Sequence, residues 1–193
     1  MLEPEEDLGQ LPKIRESEIS EDVNGNIQTI DMMKRIARLR SSDPLIRKLA
    51  LNILSYYGVS SHNFIDEALA IGEYVRSKVR YVRDPEGVEY LQDPLDLVKQ
   101  IQSKVATGGR LLAQGDCDDM ALLTATLLLA AGHSPFFRAV RYEDVTGPYN
   151  HIYVVVYERN NGSEKTRVVL DCILKDRPIG SEIRHVSGEE YAV

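Results

Sequence analysis

Cys117, His151 and Asp171 are the residues whose types and surroundings could together perform covalent chemistry. Cys117 follows a glycine turn in Gln114-Gly-Asp-Cys-Asp-Asp-Met-Ala-Leu122 and opens a long apolar run. Its sulfur is expected at the exposed N-terminus of a buried helix, where unpaired backbone N–H groups and the helix dipole favour a thiolate. His151 opens the strand-like segment His-Ile-Tyr-Val-Val-Val, and Asp171 ends Val-Val-Leu-Asp. An aspartate beside an imidazole fixes the ring tautomer and stabilises the imidazolium, which in turn supports a thiolate. Thiol, imidazole and carboxylate in these roles point to nucleophilic attack by sulfur. Each also has a plainer reading alone: a buried inert thiol, a sheet-edge polar residue and a strand-end carboxylate.

The elements around them must bring the three together. Asn160-Asn-Gly162 predicts a hairpin between strands at 151–157 and 166–174. His151 and Asp171 each lie ten residues from Asn161, so they are expected opposite, or within a residue or two of opposite. Alternation of side chains puts His151, Tyr153 and Val155 with Asp171, Val169 and Arg167 on one mixed face. Ile152, Val154 and Val156 then join Cys172, Leu170 and Val168 on a core face, and Cys172 receives no role. A further strand is predicted at 136–142. Upstream, apolar periodicity predicts helices from about Thr29 to Leu39, Leu45 to Tyr57, Phe64 to Val79, Pro94 to Ser103 and Asp118 to Ala131. The last is apolar on nearly every face and is expected to be central, ended by Gly132. Helices followed by an antiparallel sheet make an α+β domain.

Composition bounds the function classes. Hydrophobic residues make up 43% of the 193, and the net charge of −7 argues against nucleic-acid binding by the surface as a whole. No apolar stretch approaches a membrane span, and the acidic N-terminus lacks a secretory pattern. Cys117 and Cys172, the only cysteines, give no disulfide framework. A soluble, cytoplasmic chain is expected. Residues 1–26 hold eight acids, two bases and an Asn24-Gly25-Asn26 turn, so residues 1–28 read as an acidic flexible arm. A helical extension (29–62), a core (63–180) and a C-terminal tail (181–193) follow. His62, His133 and His185 are expected in exposed turns or tail. The basic group from Lys34 to Lys48 reads as a solvated helix face. Thr107-Gly-Gly-Arg110 reads as a flexible approach to the site.

Three blocks between about residues 67 and 174 carry a resemblance: Glu73-Tyr-Val-Arg-Ser-Lys-Val-Arg-Tyr81, then Gly115-Asp-Cys-Asp-Asp-Met-Ala-Leu-Leu with Ala131-Gly-His-Ser-Pro-Phe-Phe-Arg138, and then Asn150-His-Ile-Tyr with Leu170-Asp. In these the chain resembles the transglutaminase-like superfamily, whose papain-like core sets a cysteine at a helix N-terminus and histidine and aspartate on adjacent strands. More narrowly, Tyr81-Val-Arg-Asp-Pro-Glu-Gly-Val-Glu89 with Gly115-Asp-Cys-Asp-Asp is similar to the type encoded by tailed bacteriophages and prophages. The resemblance implies a central cysteine helix packed on an antiparallel sheet, with Cys117 as nucleophile, His151 as base and then acid, and Asp171 as orienting carboxylate. It implies a cysteine-dependent amide-bond hydrolase or acyltransferase working through a thioester, or else a structural or assembly protein of a phage particle that retains the fold. The expected partners are a protein or peptide substrate and phage structural proteins, in the host cytoplasm or virion; no nucleic acid, membrane or cofactor is expected.

The chain departs from the family in two places. Cys172 stands where many members have proline, and there is no tryptophan to stabilise an oxyanion. One oxyanion donor is expected to be the Cys117 backbone N–H. The second is sought in an upstream side chain: Gln92, then Gln114 or Tyr90. Asp116, Asp118 and Asp119 oppose the helix effect on the thiol, and the sequence leaves the net sign open. A metal site built from Asp116, Cys117, Asp118 and His151 is disfavoured, because adjacent residues at a helix start diverge.

Overall fold

A computed structural model describes residues 23–60, 62–85, 88, 90–106, 113–142, 147–158 and 166–193. Within them the helices are α1 (Val23–Arg40), α2 (Pro44–Tyr56), α3 (Phe64–Lys78), α4 (Pro94–Ala106) and α5 (Cys117–Ala130). The strands are β1 (Val79–Tyr81), β2 (Ala113–Gly115), β3 (Phe136–Arg141), β4 (His151–Glu158), β5 (Thr166–Leu170) and β6 (Ser187–Ala192). Strands β5-β4-β3-β6 form an antiparallel sheet in that order, and β1 pairs with β2 in a separate parallel ribbon. The α+β class stands. No described helix is long and apolar enough to cross a membrane.

Helix α5 is the centre, as its all-round apolarity predicts. Every residue from Asp119 to Leu128 is buried. It packs against α1, α2, α3 and α4 on its other sides and against β4 on the sheet. Ile152, Val154 and Val156 join Phe137, Ala139, Val168 and Leu170 in that interface. The second sheet face is buried too, through Val140, Tyr153, Val155 and Val169. Helix boundaries follow local chemistry where caps are strong. Asp43 caps α2 with proline in its first turn, Asn63 caps α3, and Gly132 beyond α5 takes a φ of +92°.

Four expectations change. Helix α1 begins at Val23, not near Thr29, and takes in the Asn24-Gly25-Asn26 segment expected to turn. Asn26 explains this: its side chain accepts from Tyr149 N at 2.8 Å and donates to Tyr149 O at 3.4 Å, so docking overrides weak helix propensity. The remainder of the expected acidic arm, residues 1–22, lies outside the described residues, as do Thr107–Arg110 and the Asn160–Gly162 turn. The C-terminal tail is instead an edge strand, β6, running antiparallel to β3 from Phe136↔Ala192 to Arg141↔Ser187. His133 is buried, its Nε2 3.0 Å from Glu67 Oε2 and its ring edge-on to Phe64, while His185 is half-buried beside Arg138. Finally, Arg40 is not merely solvated: it makes a two-pronged pair with Asp93, 2.5–2.9 Å, that ties the end of α1 to the start of α4.

Candidate active site

Cys117 is the first residue of α5, and the turn that delivers it is tightly specified. Asp116 is the N-cap, accepting from Asp118 N at 3.0 Å and Asp119 N at 3.1 Å, while Asp119 returns a bond from Asp116 N at 3.3 Å. Gly115 is required by this packing, since a Cβ there would meet the Asp119 Cβ at 2.8 Å and Oδ2 at 2.9 Å. Asp119 also accepts from Gln92 N and Gln92 Nε2, each at 2.7 Å. Burial, outweighing these donors, pushes its carboxyl up to about 6.

His151 and Asp171 meet as the hairpin geometry requires. Strands β4 and β5 pair Val154 with Leu170, so the next position sets Asp171 across from Tyr153, two residues from His151. The imidazole Nε2 lies 2.8 Å from Asp171 Oδ2, and both residues are buried, at 5% and 3% exposure. The backbone N–H of Ile152, next to His151, is near enough to the Cys117 sulfur to favour its thiolate. The start of β4 therefore abuts the N-terminus of α5.

The sign left open for the thiol resolves upward. Burial, then the charges of Asp118 and Asp116, push Cys117 well above its ordinary value, and the Ile152 N–H pulls the other way. The thiol donates to Asp118 Oδ1 at 3.2 Å, so the resting sulfur carries its proton. Cys172 differs in kind: it is buried against Thr124 Oγ1 at 3.4 Å and pushed up to about 12, chiefly by burial.

Among the described residues, Asp116, Cys117 and Asp118 form the group with three potential metal-ligand atoms within 4.8 Å of one another; His151 is not in it. Two of its members already serve other ends, Asp116 as the helix cap and Asp118 as acceptor of the thiol proton.

The three residues considered for the oxyanion stand in the loop and ribbon before α5. Gln92 spends both amide protons, on Gln114 O at 2.8 Å and on Asp119 Oδ2, and its own oxygen accepts from Gln100 at 3.0 Å. It braces the helix start, and its amide would have to leave those partners to reach a substrate. Gln114 is exposed on β2. Tyr90 is exposed, its backbone N–H bonded to Asp84 Oδ2 at 2.6 Å.

Two tyrosines stand at the site: Tyr153, which alternation put on the His151 face, and Tyr142, which sequence reasoning passed over. The Tyr142 ring stacks on His151, with centroids 5.7 Å apart and planes at 21°, and Tyr153 flanks the same imidazole at 5.5 Å. Burial and then the charges of Asp171 and Cys117 raise the Tyr142 phenol. Asn150 Oδ1 holds the Tyr142 backbone N–H at 3.3 Å. Tyr81 stands on the β1–β2 ribbon as the register partner of Gly115. The available signal was alternation: Tyr142 shares a strand face with Val140, which pairs with His151, but strand partners are not written in the sequence.

No family model matches the chain. No curated protein matches it either. Among solved structures it is similar to one described as "a Putative Cysteine Protease from Cytophaga hutchinsonii", with 14% identity and a TM-score of 0.44. The likeness covers 77% of this chain and 51% of that one, so the chain spans about half that protein's length.

Proposed function

We propose that the chain is a cysteine-dependent amide-bond hydrolase or acyltransferase of the transglutaminase-like type found in tailed bacteriophages and prophages, acting on a protein or peptide. One observation supports this above the others. The buried 2.8 Å pair joins His151, at the start of β4, to Asp171, just past β5, and the backbone N–H of the next residue, Ile152, is near enough to the sulfur at the α5 N-terminus to favour its thiolate. In this reading Cys117 gives its proton to His151 as the sulfur attacks a carbonyl carbon. Because the resting thiol is protonated, deprotonation and attack are coupled, and His151 acts as a general base. Asp171 orients the ring and stabilises the imidazolium. His151 then protonates the departing amine and leaves a thioester on Cys117. Water resolves it to an acid, and an amine resolves it to a new amide.

The test is acylation by p-nitrophenyl acetate with mass-spectrometric mapping of the acetylated residue. Acetyl is expected on Cys117 and not on Cys172, with His151→Ala slowing its formation by about 100-fold. Equal, slow modification of both cysteines in the folded protein would remove the enzymatic reading. A second reading, an assembly protein of a phage particle with phage structural proteins as partners, is favoured by one observation, the 3.2 Å contact of the Cys117 sulfur with Asp118 Oδ1, which disfavours a resting thiolate. That outcome of the acylation experiment is the one it expects.

A further inference from the structure

Attack by Cys117 on a carbonyl puts negative charge on the carbonyl oxygen, and the backbone N–H at the helix start supplies one donor for it. A second donor must have a proton to give. Gln92 has none to spare, since both amide protons are engaged by Gln114 O and Asp119 Oδ2. Tyr81 is differently placed. It pairs with Gly115, two residues before Cys117, and the Val82 N–H bonds Gly115 O at 2.9 Å, so the strand is clamped beside the turn that delivers the nucleophile. The residue is 41% exposed, open to an arriving substrate. Resting on the proposed Cys117 chemistry, we infer that Tyr81 is a further catalytic residue whose hydroxyl donates a hydrogen bond to the oxyanion formed on sulfur attack.

The electrostatics agree with the placement. After burial, the charges that most oppose ionisation of the Tyr81 phenol are those of Cys117 and Asp116, with Asp118 adding to them. The phenol is thus within electrostatic reach of the reacting sulfur and is kept in its protonated, donating form. Tyr81 and His151 also come from different sheets, so the oxyanion donor and the proton shuttle reach the sulfur from separate elements. In the step itself the S–C bond forms and the carbonyl π pair moves to oxygen. The phenol keeps its proton throughout. Collapse restores the C=O bond and expels p-nitrophenolate from the ester, or, from an amide, the amine carrying the proton from His151.

Two reactions at the same sulfur isolate this role. Acylation by p-nitrophenyl acetate passes through an oxyanion; alkylation by iodoacetamide displaces iodide from saturated carbon and makes none. Tyr81→Phe is expected to slow acylation of Cys117 by about 100-fold while alkylation stays within about twofold, which also reports an intact fold and thiol. Tyr81→His, which restores an N–H donor, should acylate faster than Tyr81→Phe. Unchanged acylation in Tyr81→Phe, or an equal fall in both reactions, would overturn the assignment. A wild-type chain that alkylates at Cys117 yet never gains acetyl there would overturn the nucleophile reading itself, and Tyr81's role with it.

Discussion

At Cys117 two local rules collide. A helix N-terminus favours a thiolate, whereas burial and adjacent carboxylates disfavour it; here burial leads, Asp118 and Asp116 add to it, and the thiol rises. Its reactive fraction below that raised value grows with pH, so iodoacetamide labelling should still be climbing at pH 9, the ordinary thiol value. Asp118→Asn removes both a charge and the strongest acceptor of the thiol proton, which now sits at 3.2 Å. Labelling at neutral pH should then quicken roughly three- to tenfold; an unchanged pH profile would show that Asp118 does not hold the proton. The sequence could name Cys117, His151 and Asp171 because their residue types and strand offsets are local properties. Tyr142 and Tyr81 escaped it because their roles depend on which strands neighbour which. A tyrosine at a strand end looks the same whether it faces solvent or stacks on an imidazole.

Elements show the same divide. Helices α2, α3 and α5 were legible through periodicity and caps, because a 3.6-residue apolar stripe and an Asp or Asn at its start are written in consecutive residues. The N-terminal turns of α1 were not, since Asn26 is held in helix by Tyr149, 123 residues away. Nor was β6: Ser-Gly-Glu-Glu-Tyr-Ala carries low strand propensity and is held by pairing with β3 and by Arg138 beside Glu190 at 3.6 Å. The start of α5 makes the sharpest prediction at this scale. The Asp119 carboxyl stands at about 6 in the fold against 3.8 ordinarily. A folded value above the unfolded one contributes stability that is present below about pH 4 and lost as pH rises through 6, worth roughly 3 kcal/mol between those limits. Asp119→Asn removes this titration, so the fall in urea midpoint from pH 4 to pH 7 should become shallower. At neutral pH the variant should still be less stable by about 2 kcal/mol, because an amide turns its N–H donors either toward both Gln92 Nε2 and Asp116 N, which share Oδ2, or toward Gln92 N on Oδ1, where the carboxylate now accepts. A pH slope unchanged from wild type would place the titration elsewhere.

Across the whole molecule, charge that composition assigns to solvent instead stitches distant segments to the sheet. Arg167 forks onto Glu182 at 2.9 Å and reaches Glu190 at 3.4 Å, and Tyr157 donates to Glu190 at 2.7 Å. Tyr153, beside His151, donates to Glu182. Glu182 is held down to about 2 by those partners, Arg167 first, even though burial pushes it up. The segment after Asp171 is in this way fastened over the mixed face of the sheet, and β6 closes the edge next to β3. Removing residues 187–193 should therefore cost more than its own strand pairing. Tyr191 and Val193 no longer pack against the main core, Glu190 leaves Arg138 and Arg167, and the β3 edge opens. A loss of roughly 3–5 kcal/mol in urea unfolding is expected from the apolar area and hydrogen bonds involved. The site should feel it although none of these residues touches sulfur, because the same β3 edge carries Tyr142 onto His151. Acylation of Cys117 in the truncated chain should fall under conditions where circular dichroism still reports folded protein. Wild-type acylation there would mean that Tyr142 keeps its place without β6, and that β4 and Asn150 alone hold the ring over the imidazole.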